Sequence, residues 1–155
     1  MKLISFCIPT YNRAPQCIRL VKEILKSQNE DIEVVVSDNC STDETLALLR
    51  KIKDKRLFIL TSVQNKDSLL NGLNCLSKAS GKYIYLTTDK DMVNFSNIDA
   101  FVLFLKGNRV SCGYCEFSPK LGGIDGIYLQ GFEAIDNVGY LGRHPSGSFF
   151  EREKL

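Results

Sequence analysis

The sequence contains a single histidine, His144, and no apolar run near the ~18 residues that a membrane span needs. Its clean apolar stretches are short, as at residues 101–105. An excess of one charge is also missing: 20 Lys+Arg face 18 Asp+Glu, a net charge of +2. That balance argues against a nucleic-acid binder or a polybasic membrane segment. One histidine and one CxxC, Cys112-Gly113-Tyr114-Cys115, fall short of the usual four ligands of a structural zinc site. The apolar start breaks at Pro9, before the ~7–15 residues of a secretory hydrophobic region are complete, so it reads as a first strand. No GxGxxG follows that strand and no GxxxxGK[ST] occurs, which removes the dinucleotide cradle and the P-loop.

What remains is the composition of an ordinary soluble domain: 155 residues, 44% hydrophobic and 25% charged. The length suits one domain with a sizeable core. Six scattered cysteines without a secretion signal suggest reduced, mostly buried thiols in a cytosolic protein. The CxxC lies in a β-rich stretch rather than at a helix start, which favours structural thiols over a redox pair.

Hydrophobic periodicity alternates along the first hundred residues. Strands are predicted at 3–9, 32–37, 57–60 and 83–86. The run Val34-Val35-Val36 suits a parallel strand buried on both faces. A helix from Pro15 carries Ile18, Leu20, Val21, Ile24 and Leu25. Ser41-Thr42-Asp43-Glu44 has the form of a capping box opening a helix with Leu46, Leu49 and Ile52. Asp67 caps a third helix with Leu69, Leu70, Leu73 and Leu76 on one face, ended by Gly81. A fourth begins at Ser96 or Asn97 and stops at Gly107. After residue 108 the pattern changes: strands at 109–117 and 127–130, a short helix at 131–138, and a helix beginning at Glu151. The βαβαβαβα order predicts an α/β fold, a mostly parallel sheet with helices on both faces and right-handed crossovers.

Ligands of open α/β sheets bind at the carboxyl ends of the strands. The predicted strands are followed by Pro9-Thr10-Tyr11-Asn12-Arg13, by Asp38-Asn39-Cys40-Ser41-Thr42-Asp43, by Gln64-Asn65 and by Thr87-Thr88-Asp89-Lys90-Asp91. Without a glycine-rich cradle, a bound nucleotide needs another partner for its phosphates. Asp89 and Asp91 put two carboxylates on one side of an extended segment. Their hard oxygens suit Mg²⁺ or Mn²⁺, which keep waters and take phosphate oxygens as further ligands; a solvated charged turn is the plain alternative. Asp38 fits either a turn-capping carboxylate or an acceptor for the imide N–H of uracil. Tyr11 fits either core packing or a ring against a base.

These segments together resemble family 2 glycosyltransferases of the GT-A fold. Residues 5–13 are similar to the family's opening strand. Asp38-Asn39-Cys40-Ser41-Thr42-Asp43-Glu44-Thr45 is similar to its D-x-S-x-D-x-T turn. Ala79-Ser80-Gly81-Lys82-Tyr83 followed by Asp89-Lys90-Asp91 is similar to its A-x-G-x-Y…D-x-D stretch. The resemblance implies a nucleotide-sugar portion at 1–108 and a partial acceptor-side portion at 109–155, where Ser146-Gly147-Ser148-Phe149-Phe150 is its weak continuation. It implies that Pro9, Thr10 and Tyr11 line the base, that Asp38 binds uracil, and that Asp89 contacts ribose or a metal-bound water. Asp91 would coordinate Mn²⁺ or Mg²⁺ on the diphosphate. Asn65 and Asn71 match N-x-G-x-x-x-N except that Asp67 replaces the glycine, and Lys90 stands where the central DxD residue is often acidic.

The implied activity is inverting transfer of a sugar from a UDP-sugar to a saccharide, lipid-linked or protein acceptor in cell-wall or polysaccharide synthesis. Its place would be the cytoplasm or the inner face of a membrane. The general base is open, because Asp125, Glu133, Asp136 and Glu151 match no family motif. Two other readings stay open: a nucleotide-sugar binding module or truncated piece lacking the base, and a nucleotidyltransferase. The last is weakened by the absence of a glycine- and arginine-rich phosphate loop. A short acceptor side also predicts apolar exposure at Phe149 and Phe150, and self-association there.

Overall fold

The valine-rich segment forms the strand β2 (Ile32–Asp38), every residue of which is buried. The computed structural model describes residues 1–90, 97–114 and 148–154. β2 pairs in parallel with β1 (Ile4–Thr10) and β3 (Leu57–Thr61). β1 pairs on its other side with β4 (Tyr83–Leu86), again parallel. Two short strands, β5 (Cys112–Tyr114) and β6 (Ser148–Glu151), complete a six-stranded sheet of order β3-β2-β1-β4-β6-β5. β6 runs antiparallel to both neighbours. The strand order therefore reverses between β1 and β4, where open α/β sheets form their ligand crevice.

Side chains alternate across the sheet. Ile4, Phe6 and Ile8 of β1, with Val34, Val36, Tyr83 and Tyr85, face α1 (Ala14–Leu25) and α4 (Ile98–Gly107) in the main core. Cys7, Val35 and Ile84 face Cys75 and Ala79 at α3 (Ser68–Lys78) in a smaller one. The loop from α1 to β2 is fastened from β3's side. The buried Arg56 donates to the Leu25, Ser27 and Asn29 carbonyls at 3.1, 2.6 and 3.1 Å and to Asp54 Oδ2 at 2.8 Å. It thereby satisfies carbonyls left over by the end of α1.

Several expectations are corrected. The capping box does not form. Asp43 Oδ1 instead accepts the Thr45 backbone N–H at 2.9 Å and its Oδ2 accepts the Ala14 N–H at 3.1 Å. Helix α2 spans only Thr45–Leu49, and i→i+3 bonds end it before Ile52. Asp67 does cap α3, accepting the Leu69 N–H at 2.8 Å. The face that α3 buries, however, is Asn71 and Cys75, while Leu69, Leu70 and Leu73 are 68%, 52% and 50% exposed. Gly81 does not end that helix, which stops at Lys78. It lies against β1, where a Cβ would meet Ser5 N and Oγ at 2.7 Å.

Glu151 ends β6 rather than starting a helix, and a single 3₁₀ turn follows over Arg152–Lys154. Phe149 is buried against Phe101 and Tyr83, and Phe150 is half-buried, so the expected apolar exposure there is absent. Of the strand predicted at 109–117, Cys112–Tyr114 is extended within the described residues. The strand at 127–130 and the helix at 131–138 lie outside them.

Candidate functional site

The carboxyl ends of β1, β2 and β4 meet at the strand-order reversal. Thr10, the last residue of β1, donates its Oγ–H to Asp89 Oδ2 at 2.6 Å, bridging β1 to the segment after β4. Arg13 Nε stands 3.7 Å from Asp89 Oδ1, an ion pair with a carboxylate that is almost wholly buried. The N–H of Asn39 donates to the Thr10 carbonyl at 3.0 Å. Asn71 reaches the same carbonyl from α3 at 3.3 Å and the Ser37 carbonyl at 3.1 Å, while Ser37 Oγ donates to Asn71 Oδ1 at 2.7 Å. Asn71 thus binds the ends of β1 and β2 together from behind the site.

Asp38 terminates β2 at 1% exposure. Its Oδ2 accepts the Ser41 N–H at 3.1 Å, and its Oδ1 is buried with no hydrogen-bond partner. A buried carboxylate oxygen without a donor is costly, and the described residues supply no donor for this one. Tyr11 stands in the adjoining loop, 40% exposed. Two loops frame this point by mutual bonds. Asn12 N–H donates to Ser41 Oγ at 2.9 Å, and Asn12 Oδ1 accepts the Thr42 N–H at 2.7 Å. Asn12 and Cys40 both take left-handed backbone, φ 49° and 62°. Asparagine tolerates this conformation; for cysteine it is uncommon.

Partial desolvation opposes ionisation of Asp43, but the bonds from Thr45 and Ala14 outweigh it and hold its carboxyl below the ordinary value. Asn65, exposed, accepts from Asn39 Nδ2 at 2.8 Å, and the same amide donates to the Lys66 carbonyl at 2.8 Å.

Of the residues expected at the site, Thr10, Tyr11, Asp38, Asn65 and Asp89 occupy this edge, with the half-buried Pro9 leading into it. Asp91 lies outside the described residues, as do Asp125, Glu133, Asp136, His144 and Cys115. Glu151 is not brought here. It pairs in register with Tyr83, the first residue of β4, and its carboxylate lies 3.4 Å from Lys82 at the opposite edge of the sheet. The sequence reading assigned no role to Arg13 or Asn39. Arg13 closes the opening segment at residues 5–13, and Asn39 lies beside Asp38.

A divalent ion would meet a small donor set here. Among the described residues, no three His, Cys, Asp or Glu side chains converge. Asp89 contributes hard oxygen chemistry, although both its oxygens already have protein partners. One such carboxylate could join only an ion that draws most of its ligands from phosphate and water, as Mg²⁺ and Mn²⁺ do. Among the described residues, no helix is long and apolar enough to cross a membrane. Cys7, Cys17 and Cys75 are buried, Cys40 is half-exposed and Cys112 is exposed in β5. Burial raises the first three thiols, Cys17 and Cys75 to about 12.

A parallel sheet that carries a carboxylate-, amide- and hydroxyl-lined crevice at its strand ends, with an antiparallel strand beyond β4, defines a GT-A type α/β domain. The sequence profile of glycosyl transferase family 2 matches residues 5–138, and the chain belongs to that family. A UDP-Glc:alpha-D-GlcNAc-diphosphoundecaprenol beta-1,3-glucosyltransferase of Escherichia coli is 28% identical over 118 residues, 76% of this chain and 47% of that protein. An abequosyltransferase of Salmonella typhimurium is 36% identical over 94 residues, 57% of this chain and 28% of that protein. Residues 1–349 of Staphylococcus aureus TarS in complex with UDP superpose with a TM-score of 0.78 at 20% identity, covering 98% of this chain and 47% of that one. A mannosyltransferase of Pyrobaculum calidifontis in complex with GDP-Man and Mn²⁺ gives 0.70 at 18% identity, covering 97% and 44%. These two structures establish the fold. The chain spans about half the length, or less, of the relatives it matches.

Proposed function

We propose that this chain is the donor-binding portion of a glycosyltransferase that takes a UDP-sugar and delivers the sugar to an acceptor hydroxyl. The observation that carries the reading is the unpartnered, buried Oδ1 of Asp38 at the end of β2, with the exposed Tyr11 following the neighbouring end of β1. Uracil offers one imide N–H to such an oxygen and a face to such a ring. Adenine and cytosine have no ring N–H at the matching position. The diphosphoundecaprenol-linked acceptor in the name of the Escherichia coli relative supports a lipid-linked saccharide as the acceptor class. Action at the inner face of a membrane would go with such an acceptor.

Thr10 holds Asp89 in one orientation at the crevice, so its carboxylate meets an incoming donor without rearranging. Asp89 and Asp91 are the residues that would hold Mg²⁺ or Mn²⁺ together with the diphosphate. A bound divalent ion would neutralise charge on the departing diphosphate. In an inverting transfer the acceptor hydroxyl attacks the anomeric carbon from the face opposite UDP, and a carboxylate within ~2.6–3.2 Å takes its proton. Glu151 does not serve, since it faces the wrong edge of the sheet.

The test is a calorimetric titration of the chain with UDP, ADP and CDP in Mn²⁺, paired with a coupled assay for UDP release from UDP-sugars. UDP should bind with Kd of ~10 µM to 1 mM, ~4–7 kcal/mol, and ahead of the other two. Equal affinity for all three diphosphates would refute the role of Asp38.

A further inference from the structure

The Asp89 carboxylate is placed to meet cations, and in the donor-free protein it already has one. Arg13 precedes the first residue of α1, and its backbone is fixed by neighbours on both sides. Its own N–H donates to Thr45 Oγ1 at 3.3 Å, Asn12 N–H to Ser41 Oγ at 2.9 Å and Ala14 N–H to Asp43 Oδ2 at 3.1 Å. The side chain is a different matter. It is 38% exposed, while that of Asp89 is 5% exposed, and Nε stands 3.7 Å from Oδ1. A guanidinium on a long, partly solvated arm therefore rests against a carboxylate that Thr10 holds still from the other side.

A guanidinium is also the side-chain group best matched to phosphate, through parallel N–H donors. On the reading that this crevice receives a nucleoside diphosphate, two ligands compete for one cation. We infer that Arg13 is the resident counter-cation of Asp89 in the donor-free protein and a positioning residue for the donor. On binding, its guanidinium passes from Asp89 to the diphosphate and releases the carboxylate to the divalent ion. No bond is made or broken; one positive charge moves by side-chain rotation.

The inference gives a signature of opposite signs. Arg13→Ala should raise the affinity of the nucleotide-free chain for Mn²⁺, because a competing positive charge is gone. The expected gain is about two- to fivefold, the size of a partly screened charge pair. The same substitution should weaken UDP by ~10- to 100-fold, the scale of a lost hydrogen bond to a charged group, and leave uridine unchanged. Arg13→Lys keeps the charge and should leave Mn²⁺ binding near the wild-type value while still weakening UDP. Arg13→Gln keeps a polar arm and replaces the alanine variant should that one unfold.

The experiment titrates Mn²⁺ alone by electron paramagnetic resonance, and UDP and uridine by calorimetry. A neutral variant that leaves Mn²⁺ affinity unchanged or lowered, or that weakens uridine as much as UDP, overturns the inference. A wild-type chain that binds no UDP overturns the donor-site reading itself, and this inference with it.

Discussion

Replacing Asp38 by asparagine separates binding from folding at one atom. In the folded chain Asp38 is 1% exposed, one oxygen accepts the Ser41 N–H at 3.1 Å, and the other has no donor. Leaving a buried acceptor unsatisfied costs about 1–3 kcal/mol. Asp38→Asn keeps the shape and an oxygen for Ser41 but removes the buried charge. Stability in urea should therefore stay within about 1 kcal/mol, since losing the buried charge offsets the amide N–H left without an acceptor. Affinity for UDP should fall by 1.5–3 kcal/mol, roughly 10- to 100-fold, because the uracil imide N–H loses a charged acceptor. The new amide N–H would face cytosine N3 favourably, so the preference for UDP over CDP should shrink or invert. Calorimetry with both diphosphates and urea melts on the same samples are the assays. A variant that loses stability along with affinity would refute the reasoning, since Asp38 would then be a structural acceptor rather than one kept open for a ligand.

Other consequences follow from the packing. Leu73→Ala, on the exposed face of α3, should change stability by less than about 0.5 kcal/mol, whereas Leu20→Ala in the main core should cost ~2–5 kcal/mol; chemical unfolding of the pair decides it. Gly81→Ala should destabilise by driving a methyl group into Ser5 and the β1 backbone, a shift visible in the thermal midpoint and missing for Gly72→Ala, where the space is open. The buried thiols set an alkaline limit. Cys17 and Cys75 are raised to about 12 from an ordinary value of 9.0, so each stabilises fully below pH 9. Between pH 9 and 12 the unfolded chain releases a proton that the folded chain keeps, and stability falls by up to ~1.4 kcal/mol per pH unit per thiol. Urea midpoints from pH 8 to 10.5 measure this, and Cys17→Ala should flatten the slope.

The parallel core was legible because its residues carry both roles at once. Val34, Val35 and Val36 must be apolar on both faces, and α1 shows a clean helical stripe. Hydrophobicity alone points to the wrong inner face of α3. Four leucines at helical spacing pointed one way, but the ends of β1 and β2 leave carbonyls that only a donor can satisfy. Asn71 supplies that donor on the inner face, leaving Leu69, Leu70 and Leu73 exposed while Leu76 packs against the smaller core. A periodicity argument cannot see a hydrogen-bond demand raised by strands thirty residues or more away in sequence. The same holds for Asp43, whose carboxylate is claimed by Ala14 across the loop rather than by its own helix alone. The placement of Asp38 and Tyr11 at strand ends could be read from the sequence. Arg13 and Asn39 act through partners that only the fold brings near.

The most direct test of a donor site at the carboxyl ends of β1, β2 and β4 is a map of where UDP touches the chain. Amide resonances of the ¹⁵N-labelled protein should be followed through a titration with UDP in Mg²⁺. Shifts should concentrate at residues 10–13, 38–41 and 87–90, with Ser80, Gly81 and Arg152 at the far edge silent. Shifts centred on that far edge, or none at millimolar UDP, would contradict the account.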